Sequence, residues 1–230
     1  MDATPKERPI LFSSPMVRAL LDGRKTQTRR IVKHELPPGR DEFFAWFGGD
    51  LRNAPNGCAP DGLWARGKSG ITHVAASPFG VPGDRLWVRE CFGLSDTDPG
   101  DGPDNATVFY RATDGDRHDL RYQRWRPAIH MPRWASRITL TITDVRVERV
   151  RDISDADVTA EGARDVPVNE EAVTRIRTVQ QYRGKPELCN DMAFASRARF
   201  MVLWNSIHGS GAWDRNDWVF ALTFTVEVRQ

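Results

Sequence analysis

Cysteine is scarce in this chain. Cys58, Cys91 and Cys189 are the only three in 230 residues, and no two form a CxxC pair. That spacing speaks against a disulfide framework and against a zinc ribbon, which needs close thiolate pairs. The five histidines (His34, His73, His118, His130, His208) are equally scattered, without HxxxH or HExxH spacing, so neither a metal nor a cofactor is expected. No apolar run approaches the roughly 20 residues a membrane helix needs. The opening MDATPKERPILFSSP has no apolar core of signal-peptide length, and a cytoplasmic protein without membrane partners is the expectation. Charge of one sign is also missing in bulk: 33 Lys and Arg against 31 Asp and Glu leave a formal charge of +2. Affinity for nucleic acid must then come from a local patch, not from the overall field.

What is present is an ordinary globular composition, 40% hydrophobic and 28% charged, in a chain long enough to bury a core. The most informative stretch is Leu20 to Ile31, LLDGRKTQTRRI. Gly23 suits a helix stop, because glycine takes the left-handed conformation without steric cost. Arg24, Lys25, Arg29 and Arg30 then crowd around Thr26 and Thr28, with Lys33 just beyond. The β-branched Thr26, Thr28, Ile31 and Val32 favour a strand. Cations this dense on a strand entering from a helix stop read as the floor of an anion site. The alternative is a charged edge strand that discourages aggregation.

In chain order, Arg8 to Ser13 reads as a first strand. Ser13 or Ser14 then caps a helix with Pro15 in its first turn and Met16, Val17, Leu20 and Leu21 on one face. Lys33 to Pro78 is broken by many prolines and glycines, with aromatics between them, and reads as a functional loop or insertion. Pro82-Gly83-Asp84 is a turn. Arg85 to Cys91 alternates as a strand, placing Glu90 on the face of Leu86 and Val88. An inward carboxylate needs a partner, and the basic stretch is the expected one. After an acidic loop over 95 to 106, a short strand is expected at Thr107 to Ala112.

Trp125 to Arg137, WRPAIHMPRWASR, suits neither helix nor central strand. It reads as an extended connector packed by its tryptophans and displaying His130, Arg133 and Arg137. Ile138 to Val150 is the longest strand signal. Its apolar alternation slips near Asp144, which predicts a bulge or bend there. Ile153 to Gly162 is a short helix capped by Ser154, with Asp155 and Asp157 at its positive end. Glu161 falls in its last turn, against the helix dipole, which raises a carboxylate's pKa unless cations compensate. Arg164 to Ser196 is irregular with a helical middle at 169 to 182. Ala198 to His208 is an apolar helix, and Trp218 to Val228 is the closing strand.

Helix–GRKTQTRR–strand, PGDRLWVRE, HMPRWASR, the DISDADVTAEG helix and the LWNSI helix together resemble the ASCH domain of the PUA-like superfamily, in a larger variant found in phages and prophages. The resemblance implies an α+β fold: a PUA-like small mixed β-barrel with flanking short helices. It implies a single domain over 1 to 230, with irregular insertions at about 33 to 80 and 163 to 197. It also implies a nucleic-acid or nucleotide site in a cleft beside the barrel. One branch of the family hydrolyses N4-acylated cytidines with a lysine and a threonine of the GRKTxT motif and a glutamate of the short helix. By motif position these are Lys25, Thr28 and Glu161. A threonine needs a base to become a nucleophile, a desolvated lysine among arginines can supply it, and a glutamate can return the proton to the leaving amine. Lys25 and Thr28 fall on opposite faces of a regular strand. Lys25 is therefore expected in the turn after Gly23, with the strand starting at Thr26. Arg24, Thr26, Arg29, Arg30, Glu90, His130, Arg133, Trp134, Ser136 and Arg137 are the residues expected to bind the nucleoside or nucleic acid, RNA before DNA. The competing readings are a non-catalytic binding module, and a ribonuclease using Lys25, His130 and Ser136.

Overall fold

A computed structural model describes residues 4–46, 61–95, 107–115, 117, 124–181 and 191–229. In chain order its elements are β1 (Glu7–Leu11), α1 (Ser14–Leu21), β2 (Gln27–Ile31), β3 (Glu42–Trp46), β4 (Gly62–Gly67), β5 (Gly70–Ala75), β6 (Arg85–Arg89), β7 (Phe92–Leu94), β8 (Val108–Tyr110) and α2 (Arg111–Asp114). They continue as β9 (Ile138–Arg149), α3 (Asp155–Ala160), α4 (Glu170–Gln181), α5 (Asp191–His208), α6 (Ala212–Arg215) and β10 (Trp218–Val228). The fold is mixed α+β. Among the described residues there are a five-stranded sheet of order β1-β6-β9-β10-β2, a three-stranded sheet of order β3-β4-β5 and a β7-β8 pair. Among the described residues no closed barrel is formed.

The residues cluster into two compact units that alternate along the chain. The first comprises Met1–Gly23, Pro78–Asp144 and Phe224–Gln230. Within it β1 runs parallel to β6, from Glu7↔Arg85 to Leu11↔Arg89, and β6 pairs antiparallel with the start of β9. Leu86, Val88, Ile138, Leu140 and Ile142 are almost fully buried. Each such side chain contributes about 1.5–3 kcal/mol relative to exposure. Pro15 in the first turn of α1 and Gly23 at φ +68 beyond its end bear out the two helix signals. A smaller cluster of Phe92, Met131 and Ala135 fastens the Trp125–Arg137 connector, which forms two 3-10 turns. The expectation that tryptophans pack this connector needs correcting. Met131 and Ala135 are its anchors, and Trp134 is 38% exposed.

The second unit comprises Arg24–Ser77 and Val145–Thr223. Here β2 pairs antiparallel with the start of β10, and α3 to α6 bury a core of Val158, Phe200, Met201, Trp204, Trp213 and Val219. The region read as an irregular insertion instead holds the β3-β4-β5 meander. Its glycines are hairpin residues: Gly67 pairs with Gly70 across a two-residue turn, and a Cβ on Gly67 would meet the Gly39 carbonyl at 2.6 Å. Part of that region, including Phe47, and most of the acidic 95 to 106 loop lie outside the described residues. The apolar helix begins at Asp191 rather than Ala198. The slip in β9 appears as burial of Ile142 and Val145, three apart, with Thr143 and Asp144 exposed between them in an unbroken strand.

Candidate active site

The site is built in the second unit from β2 and the end of α3. The β2–β10 register runs from Gln27↔Thr223 to Ile31↔Val219. Alternation therefore puts Gln27, Arg29 and Ile31 on one face and Thr28 and Arg30 on the other. Helix α3 is short, so its caps decide whether it forms. Ser154 Oγ accepts from the Asp157 N–H while the Asp157 carboxylate accepts from the Ser154 N–H, a complete capping box. The helix ends at Glu161, and Gly162 turns the chain away at φ +76. The Thr26 N–H donates to the Ala160 carbonyl at 2.8 Å, tying the turn before β2 to the end of α3.

That tie brings Lys25 to Glu161. Lys25 lies in the turn, as expected, with the strand starting one residue later than expected, at Gln27. Its Nζ donates to the Glu161 carbonyl at 2.9 Å and to Glu161 Oε2 at 2.7 Å. The Lys25 side chain is fully buried and that of Glu161 is 4% exposed. The other carboxylate oxygen, Oε1, accepts from Arg29 Nη1 at 3.1 Å. These donors satisfy a carboxylate that the helix C-terminus by itself disfavours.

Arg29 is buried among acids. Its Nη2 and Nε donate to Glu148 Oε1 at 2.6 and 3.1 Å, its Nη2 lies 3.2 Å from Asp157 Oδ2, and its Nη1 donates to Gln27 Oε1 at 2.6 Å. Its guanidinium also stands over the Phe200 ring at 5.6 Å. Arg146 closes the network on Asp157 at 3.0 Å and Glu148 at 3.3 Å. Three carboxylates thus face Lys25, Arg29 and Arg146. The basic stretch is not a bare cationic floor here, because its central arginine is neutralised from beneath. Glu148 and Asp157 did not stand out as site residues in the sequence. The Arg146/Glu148 alternation on β9 was the available signal.

Burial pushes the Lys25 amine below the ordinary lysine range; the charge and hydrogen bond of Glu161 pull the other way, and Arg30 and Arg29 add to the lowering. Burial likewise lowers Arg30, against the pull of Glu161. Thr28 is 1% exposed, and its Oγ1 accepts from Arg30 Nη1 at 2.8 Å. Arg30 thus supplies a donor to this hydroxyl. A lysine whose charge is disfavoured, hydrogen-bonded to a carboxylate, is a proton-exchange pair. A hydroxyl accepting from an arginine is one whose oxyanion has a ready donor.

The remaining expected site residues fall elsewhere. Arg24 makes an exposed 3.5 Å pair with Asp165, and Thr26 contributes its backbone. In the first unit the partner of Glu90 is Arg137, not the basic stretch: Nε–Oε1 is 2.9 Å and Nη2–Oε2 is 3.1 Å. Arg137 lies 3.9 Å over the Tyr110 ring, whose hydroxyl donates to the Ala135 carbonyl. Burial raises the Glu90 carboxyl despite Arg137. Ser136 is buried and donates to the Val88 carbonyl at 2.8 Å, and Arg133 holds Glu7 at 2.9 Å. His130 and Trp134 are exposed.

No family model, curated protein or solved structure matches this chain. Among the described residues no group of three or more His, Cys, Asp or Glu is placed to hold a metal ion, and no helix is long and apolar enough to cross a membrane.

Proposed function

We propose that this chain is an amide hydrolase of N4-acylated cytidines or a closely related acylated nucleobase, on an ASCH-type, PUA-like framework. The observation that carries the reading is the buried contact of Lys25 Nζ with Glu161 Oε2, 2.7 Å apart and 136 positions apart in sequence. In the proposed reaction Thr28 Oγ attacks the acyl carbon, and Lys25 takes its proton as general base, a step that requires the neutral form of the amine. The C–N bond breaks, and the departing amine takes a proton relayed by Lys25 and Glu161. Water then releases the acyl group from Thr28 as a carboxylic acid and restores the hydroxyl. Arg30, already donating to Thr28 Oγ1, stabilises negative charge on that oxygen before attack.

The test is cytidine release from N4-acetylcytidine. Thr28→Val, Lys25→Met and Glu161→Gln are each expected to lower kcat by about 10²–10⁴-fold, the usual yield of acid–base and nucleophilic groups. Far-ultraviolet dichroism would show whether each variant remains folded. Folded Thr28→Val and Lys25→Met proteins hydrolysing at the wild-type rate would remove both residues from the mechanism.

A non-catalytic nucleic-acid-binding module is the second reading, supported by a different surface. In the first unit Ile129 is 56% and Trp134 38% exposed, with His130, Arg124 and Arg126 also exposed. Residues 124 to 143 contain no Asp or Glu. An exposed indole among cations suits a stacked base and its phosphates.

A further inference from the structure

The sequence casts Arg29 as a binding cation, but its side chain is 0% exposed and has no surface to offer a ligand. Its guanidinium is held instead by oxygens of β9, α3 and β2 itself. Nε and Nη2 share Glu148 Oε1, and Nη2 also lies 3.2 Å from Asp157 Oδ2. Nη1 donates to Gln27 Oε1 and to Glu161 Oε1. A guanidinium carries five N–H groups in one plane, and each of these has an oxygen within reach. The acceptors are fixed in turn. Gln27 Nε2 donates to Asp157 Oδ1 at 2.9 Å and to Thr223 Oγ1 at 3.2 Å, which leaves its carbonyl oxygen for Arg29. Arg146 holds both Glu148 and Asp157. The fork therefore has one orientation, and its effect falls on Glu161. Oε1 of that carboxylate is 3.1 Å from Arg29 Nη1, whereas Oε2 is 2.7 Å from Lys25 Nζ. A guanidinium donates hydrogen bonds without giving up protons. The Arg29 side of the carboxylate is thus closed to proton exchange, and Glu161 cannot turn without breaking that contact.

We propose that Arg29 is a positioning residue: with its fork fixed by Glu148, Asp157 and Gln27, it holds Glu161 so that a proton shared with Lys25 passes only through Oε2. When Lys25 Nζ gives up the proton Oε2 gains it, and the reverse transfer restores both groups. The catalytic consequence rests on the proposed amidase chemistry; the geometry does not, so each can fail alone.

Arg29→Lys keeps the charge and loses the planar fork. Glu161, freed at Oε1, then turns away from Lys25, whose ammonium its hydrogen bond supports. The charged groups acting on Lys25 are Glu161 at the end of α3 and Arg29 and Arg30 on β2; Glu148 and Arg146 on β9 and Asp157 on α3 surround Arg29. Lysine labelled with 13C at Cε, with Lys25→Met assigning the resonance, follows Lys25 through a pH titration without substrate. Its midpoint should fall by about one pH unit in Arg29→Lys. Gln27→Met, which removes an acceptor of the fork and changes no charge, should move it the same way by less, and serves if Arg29→Lys does not fold. On N4-acetylcytidine, Arg29→Lys should lower kcat about 10²-fold and leave KM within about twofold. Glu148→Gln keeps the accepting oxygen and removes only charge, and should lower kcat by about threefold. A Lys25 midpoint at the wild-type value in the folded variants overturns the inference, even if Thr28→Val abolishes hydrolysis. A loss in Glu148→Gln as large as in Arg29→Lys also overturns it, by tracing the effect to charge and not to orientation. A falling midpoint with no hydrolysis by any form sinks the amidase and leaves the positioning of Glu161 standing.

Discussion

Among the described residues three carboxylates are buried, Asp84, Glu90 and Glu161. Asp84 accepts from the Lys6 N–H at 2.8 Å, the Val81 N–H at 3.2 Å and Arg8 Nη1 at 2.7 Å. Burial by itself would raise its pKa, but these three donors outweigh it and hold the carboxyl below the ordinary 3.8. Its contribution to stability is therefore complete above the unfolded-state value and is lost as pH falls toward the folded one. Asp84→Asn should lower the urea unfolding free energy by roughly 1.5–3 kcal/mol at pH 7, with the deficit shrinking below pH 4. A deficit that stays constant down to pH 2 would disprove this assignment. Glu90 has the opposite sign. Burial outweighs Arg137 and raises its carboxyl above 4.5, so stability falls as pH rises through the window above that value. Arg137→Met leaves the carboxylate buried without its cation and should cost about 3–5 kcal/mol at neutral pH. The loss should ease on acidification, as Glu90 takes up a proton. Urea unfolding of this variant at pH 7 and pH 5 tests the direction.

At the level of elements, α3 shows how a short helix serves a buried site. Six residues hold it only with their caps, and the capping residue Asp157 is also a partner of Arg29 and Gln27. Ser154→Ala should cost about 0.5–2 kcal/mol. It should also depress activity on N4-acetylcytidine without touching any reacting group, because Glu161 ends the same helix. Full activity in a destabilised Ser154→Ala protein would show that the cap does not set the Glu161 position. This helix was legible in sequence because its signals are local: a serine, an aspartate three residues on, and a terminal glycine. Strand β10 was legible for the same reason, as an uninterrupted apolar and β-branched run. The β3-β4-β5 meander was not, since the glycines that shape its hairpin look like loop punctuation when their pairing partners are unknown. The first two turns of α5, 191 to 197, were not legible because the helix is apolar around much of its circumference. Phe200, Met201 and Trp204 are buried while Val202 and Leu203 are half-buried, so no single stripe marks where it begins. The Lys25–Glu161 contact was legible only through the motif resemblance. The carboxylates beneath Arg29 were not, because tertiary pairing of charges leaves no periodicity to read.

For the molecule as a whole, a formal charge of +2 leaves no general attraction for polyanions. If the exposed Ile129–Trp134 surface binds single strands, its salt dependence must be shallow, set by the few arginines there and not by the whole chain. For single-stranded nucleic acid each neutralised phosphate contributes about 0.7 to the slope of log K against log salt. Arg126→Ala should therefore reduce the slope by about that amount. Trp134→Ala should weaken binding to a similar degree at every salt concentration and leave the slope unchanged, since stacking releases no counterion. Fluorescence anisotropy of an unstructured RNA oligonucleotide from 50 to 200 mM salt distinguishes the two contributions. A steep slope untouched by Arg126→Ala would locate polyanion binding on some other surface. Absence of binding at 50 mM salt would remove the module reading.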